Sequence, residues 1–303
     1  MALADNCSRS ASQADAKGDF FRHVAEQGHY AGRSKPTGTR QGLYVCTAGG
    51  HLLSSLNTRD PDKLLEALHQ ALEAWRHHAA TAPDVPGDYA SAREYQWPFP
   101  EAGLVLKVTA RDLPRAGDDA VDERYNHDFM WLTKAEKEAL IPADPQTGQT
   151  QQLPGFLVLR MARFHLADYV RGEVPRWRPE DVEQAEMTSS VERVDEEQVV
   201  MELRGEVRCV GAASNDVNPF SGQVVDMERG IAVRLLGKLR CDRRRRIFER
   251  FDLLATGVRW GATTYNGRFE DLGPAPIGFA FELASNALIE RTPPQSIRLD
   301  YFG

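Results

Sequence analysis

Between Arg229 and Arg268 the chain reads RGIAVRLLGKLRCDRRRRIFERFDLLATGVRWGATTYNGR. From Ile231 every second residue is apolar or small: Ile231, Val233, Leu235, Gly237, Leu239 and Cys241. Arg234, Lys238, Arg240 and Asp242 stand between them. A period of two with a polar partner face predicts a half-buried antiparallel strand. Four arginines follow, Arg243 to Arg246. Four like charges in a row cannot be buried together, so they mark the exposed tip of a long hairpin. Ile247, Phe251, Leu253, Ala255 and Gly257 continue the apolar face on the return strand.

The pattern has an echo upstream. MELRGEVRC (Met201 to Cys209) and VRLLGKLRC (Val233 to Cys241) share the order apolar, charged, Leu, any residue, Gly, charged, apolar, Arg, Cys. A single pair does not make a repeat architecture. It reads as two similar strands of one sheet, each bent at a glycine. With Gly257 in the return strand, Gly205 and Gly237 predict a strongly curved antiparallel sheet, extending to a partly closed barrel.

A chain of 303 residues exceeds one small core, so two domains are expected. A formal net charge of -7 argues against a nucleic-acid partner, and the arginine tip reads as a solvated turn. No apolar run approaches the roughly 18 residues that a membrane span needs. The first residues, MALADNCSRSASQ, lack a charged-then-apolar signal pattern, so the expected location is cytoplasmic, or exported if the true start lies upstream. The four cysteines, Cys7, Cys46, Cys209 and Cys241, form no CxxC and no zinc-type pairing.

Along the chain, residues 1–17 read as a mobile arm. FFRHVAEQ reads as a short helix, and LYVCT with HLLSSL as a hairpin around Ala48-Gly49-Gly50. Asp60-Pro61 opens a helix with Leu64, Leu65, Leu68, Leu72 and Trp75 on one stripe. Residues 81–100, rich in Ala, Pro and Gly, read as a linker between a module at 18–80 and a larger domain at 101–303. In that domain, Thr133 with Glu136 is a capping-box pattern. Leu157, Met161, Phe164 and Tyr169 predict a helix ending at Gly172, and Arg178-Pro179 starts a short one. Strands dominate from about Val199 to Leu283. Helices then precede a run of strands, which is the α+β class.

The run LYVCTAGGHLLSSLN…PDKLLEALHQALEAW resembles the C-terminal half of a thioredoxin fold. That resemblance covers residues 36–78. It implies two antiparallel strands, a glycine turn, and a final helix packed on the sheet. Pro36-Thr37 is similar to the family's cis-proline dipeptide. The family's redox dithiol would precede the first helix, where Cys7 has no second cysteine beside it.

Candidate chemistry is sparse. Cys46, mid-strand, reads as a core thiol, and Cys7 as an exposed one; either is the only opening for thiol chemistry. His165 and Asp168, at i and i+3, could share a metal or a hydrogen bond, and His127-Asp128 is a second acid–imidazole pair. A structural histidine held by a carboxylate is the plainer reading of both. Trp260, Tyr265 and Arg268, on a glycine-rich segment, form the candidate binding patch. No phosphate loop, serine elbow or zinc helix is present, so no cofactor is expected. The expectation is a non-catalytic binding or scaffold protein with a protein or small-molecule partner. The alternative is a thiol-redox or metal-dependent enzyme using Cys7 or the His/Asp pairs.

Overall fold

The computed structural model describes residues 16–29, 40–58, 60–78, 100, 102–115, 117, 123–217, 224–285, 287, 290, 292–294 and 301–302. Cys7, Pro36-Thr37 and nearly all of the 81–100 segment lie outside them. The chain divides into two compact units, 1–96 and 97–303.

The first unit holds helix α1 (Ala16–Gln27), strands β1 (Leu43–Cys46) and β2 (Leu52–Leu56), and helix α2 (Pro61–His78). β1 and β2 pair antiparallel, with Leu43 opposite Leu56. Gly50, at φ 83°, makes the turn that a side chain would disfavour. Gln27, at the end of α1, clamps it by donating to the Gly50 carbonyl at 2.8 Å and accepting from the Leu52 N–H at 3.2 Å. Asp60 caps α2, its Oδ1 accepting from the N–H groups of Asp62 and Lys63 at 3.0 and 3.3 Å. The predicted stripe of α2 faces outward. Ala67 and Ala71 are buried, whereas Leu65, Leu68, Leu72 and Trp75 are all exposed. Alanines let the helix sit close to its neighbour, and the larger side chains then project to the flank.

The second unit is one eight-stranded antiparallel sheet. Its strands are β3 (Leu104–Asp112), β4 (Tyr125–Leu132), β5 (Thr150–Gln152), β6 (Val182–Val194), β7 (Gln198–Val217), β8 (Val224–Asp242), β9 (Ile247–Trp260) and β10 (Ala275–Leu283). They run in the order β4-β3-β10-β9-β8-β7-β6-β5. The strand-rich region thus begins at Val182, earlier than the pattern suggested. β4 and β5 are the two edges and do not pair, so the sheet is open and the expected barrel closure does not occur. Its apolar face is covered instead by Leu140, just after helix α3 (Lys134–Glu138), by helix α4 (Gly155–Arg160) and by one π-turn (Met161–His165). Leu157, Val158, Met161 and Ala162 enter the same core as Leu203, Leu235, Leu253 and Phe279.

Three local readings hold. Arg243 to Arg246 form the exposed turn between β8 and β9, Thr133 and Glu136 make both capping-box bonds, and Pro179–Asp181 is a short 3-10 turn. Two need correction. The helix through Leu157 ends its α-turns at Arg160 and its π-turn at His165, leaving Tyr169 outside. Ile247 is exposed and Phe248 buried, because a bulge sets Arg240 opposite Arg250 but Cys241 opposite Phe248.

The two echo strands are neighbours. Leu203 faces Gly237 and Gly205 faces Leu235. A Cβ on Gly205 would stand 2.5 Å from the Glu186 carbonyl oxygen. One on Gly237 would stand 2.8 Å from the Leu253 Cα, with the Asp252 carbonyl closer still. The neighbouring backbone, rather than a facing layer, occupies that space.

Gly237→Val is expected to cost about 1–3 kcal/mol from overpacking. Lys238→Val, on the exposed face, stays within roughly 0.5 kcal/mol of wild type. Gly205→Val and Glu206→Val repeat that contrast one strand over. Chemical denaturation midpoints of the four variants check it, and equal losses at Gly237 and Lys238 contradict the one-sided strand.

Candidate functional site

Most of the buried charge of the second unit gathers in two networks. The first lies at the outer end of β3 and β9. Arg268 follows β9 in the chain, Asp112 ends β3, and Asp168 follows the π-turn. Arg268 is 0% exposed and is held by two carboxylates. Its Nη1 and Nη2 donate to Asp112 at 2.8 and 2.6 Å, and its Nε and Nη2 donate to Asp168 at 2.7 and 2.8 Å. Such forked pairing suits the planar guanidinium and would not suit a lysine.

Around this centre, Arg171 Nε donates to Asp112 at 3.0 Å, and Asp271 pairs with both Arg259 and Arg115. A cleft of about 410 Å³ opens on this cluster, lined by Asp112, Arg115, Arg171, Arg259, Glu270 and Asp271. Burial would raise the Asp112 carboxyl, but Arg268 and Arg171 hold it below its ordinary value. Asp271 is held low in the same way, against its own burial, by Arg115 and Arg259. Burial and the nearby Arg268 charge lower Arg259, whereas the two aspartates raise Arg268 against its burial.

The second network is a chain of three side chains. The Trp131 N–H donates to Tyr301 Oη at 3.1 Å, which leaves the phenol proton to point at His165 Nε2, 2.7 Å away. His165 Nδ1 then donates to Asp128 Oδ2 at 2.8 Å. Burial pushes the Tyr301 phenol well above its ordinary range, so it stays protonated. Arg160 sits 5.0 Å over the Tyr301 ring and pairs with Glu136 at 2.6 Å. Acid, imidazole and hydroxyl are aligned as in a proton relay, but all three members are buried. A relay needs access to a reacting atom, so here the same bonds act as a tether.

The expected pairings are exchanged. His165 meets Asp128, not Asp168, and Asp168 meets Arg268. His127 bonds Thr109 Oγ1 at 3.0 Å on the other side of β4. Among the described residues no group of three or more His, Cys, Asp or Glu could hold a metal. Burial raises the thiols of Cys46 and Cys241 and pushes Cys209 up to about 12. Arg268 is sealed, and so leaves the exposed patch expected for it. Tyr265 is 64% exposed. Trp260 lies over Gly230, with its indole N–H donating to Glu228 at 3.2 Å and Arg208 stacked 5.4 Å from its ring.

Asp112, Arg259, Asp271 and Tyr301 were not among the expected residues. Two of them carried a signal. Asp112 continues Leu106, Val108 and Ala110, and Arg259 continues Leu253, Ala255 and Gly257, so each is a charge on the inward phase of a strand.

Comparison with known proteins returns no similarity: no family model, curated protein or solved structure matches the chain.

Arg268→Met leaves two buried carboxylates without their main partner and is expected to cost about 3–5 kcal/mol in equilibrium unfolding. Tyr265→Ala, at an exposed ring, stays within about 0.5 kcal/mol.

The folded-state pKa values of Asp112 and Asp271 are depressed, so their contribution is fully present above the unfolded carboxylate value of about 3.9. It is lost as pH falls through the folded values. Unfolding midpoints are therefore expected to be level from neutral pH to about pH 5, then to drop. The drop should shrink in Asp112→Asn, and an equal drop would remove Asp112 from the cause.

Proposed function

We propose that this chain is a non-catalytic binding or scaffold protein, in which a thioredoxin-like module without a redox dithiol accompanies the eight-stranded domain. The observation that carries this reading is how the charged groups are used. Arg268 spends its donors on Asp112 and Asp168, and His165 spends both nitrogens on Tyr301 and Asp128. Groups so occupied hold structure and have no free valence for a substrate. The order helix, hairpin, helix in the first unit supports the thioredoxin-like part of the reading. The partner is proposed to be a protein or a small molecule, met in the cytoplasm, with the exposed ring of Tyr265 as one contact.

A thiol-redox or metal-dependent enzyme is the competing reading. Native mass spectrometry with and without reductant and chelator separates the two. The expected result is one mass in all conditions, with no metal and no internal disulfide. The protein is also expected not to accelerate insulin reduction by dithiothreitol above background. Catalysis that disappears in Cys7→Ser would establish the enzyme instead.

A further inference from the structure

Helix α2 has two apolar faces, and its own unit uses one. Ala67 and Ala71 are buried at 7% and 2% exposure. Leu65, Leu68, Leu72 and Trp75 are 53%, 43%, 48% and 45% exposed. Four large apolar side chains on one flank of one helix are an unusual load for a free surface. Their spacing of three, four and three residues is that of a heptad seam, alternating a and d positions. Beside them runs a shallow groove of about 330 Å³, floored by Val45, Cys46 and Leu53.

The flanking charges select a partner. At 100° per residue, Asp62, His69 and Arg76 fall on the side of the seam away from Ala67 and Ala71. They recur every seven residues, acid first and base last. Packed parallel, these positions would face the flank that carries Leu64 and Ala71 in the other copy, where Asp62 and Arg76 meet no opposite charge. Packed antiparallel, Asp62 of each copy meets Arg76 of the other, at both ends of the seam. In one copy Arg76 pairs with the exposed Glu73, a contact of small value.

We propose that α2 is the seam of a two-fold antiparallel homodimer. Leu65 packs against Trp75 of the second copy, and Leu68 against its Leu72, with the two-fold axis beside His69. Each apolar layer then occurs twice, as an isologous interface requires. The helix dipoles also oppose one another in this arrangement. An 18-residue helix spans about 27 Å, so the seam is short and the dimer weak, with a dissociation constant in the micromolar range.

Sedimentation velocity on the full chain, from about 1 to 300 µM, reads the association directly. A monomer–dimer equilibrium is expected across that range. Leu68→Glu with Leu72→Glu should be monomeric throughout, with the thermal midpoint of the dilute wild type, because both positions are exposed in one copy. Asp62→Arg alone sets like charges at both ends and should weaken association by about tenfold. Asp62→Arg with Arg76→Asp restores the pairing and should bring the dimer back above the single variant. A chain that stays monomeric at every concentration overturns the proposal. So does a dimer indifferent to the two glutamates. Single charge reversals without effect overturn the antiparallel arrangement.

Discussion

One guanidinium sealed from water decides how the eight-stranded unit is finished at its outer end. Arg268 cannot be buried without carboxylates, and Asp112 and Asp168 cannot be buried without a cation, since an unpaired ion in the interior costs several kcal/mol. The three come from a loop, a strand end and the segment after a π-turn. Each of these pieces is therefore required by the other two. Gly172 serves the same assembly. A side chain there would collide with the Tyr265 carbonyl, so only glycine lets the two segments pass this closely. Arg259 and Asp271 widen the cluster toward solvent, and the open cleft begins where their pairing ends.

Where the fold is written as a period of two, it can be read without coordinates. The alternation from Ile231 to Cys241, the arginine tip and the Thr133–Glu136 capping box each depend on a few adjacent residues, and each forms as the pattern implies. The readings that went astray depend on something a period does not carry. A bulge adds one residue to β9 and exchanges Ile247 for Phe248 at the core, and no side-chain pattern announces it. The spacing of Leu157, Met161 and Phe164 is that of an α-helix, and nothing in it shows that the α-turns give way to a π-turn after Arg160. In α2 the apolar stripe was visible but its direction was not, because two alanines won the buried side.

The polar networks were half legible. Asp112, Asp128 and Arg259 all sit on the inward phase of an alternating strand, which is where a charge must find a partner. The partners were not visible. Tyr301 lies 136 residues from His165, and Arg268 lies 156 from Asp112. Short-range spacing paired His165 with Asp168 because both were near in the chain. Burial instead sorted them by chemistry, giving the imidazole a carboxylate and a phenol, and the remaining aspartate a guanidinium.

The echo between β7 and β8 has a consequence for strand alignment. Leu203 against Gly237 and Gly205 against Leu235 sets a large side chain opposite a missing one, twice over. Slide either strand by two residues, which keeps every side chain on its proper face, and the match is lost. In one direction Leu203 meets Leu235 and the two compete for one space. In the other, Gly205 meets Gly237 and leaves a gap. The common hazard of a long alternating strand is that its pattern looks the same after such a step. Here the duplicated Leu-x-Gly breaks that sameness, because only one alignment sets each leucine opposite a glycine while β6 and β9 close over the glycines from their other sides.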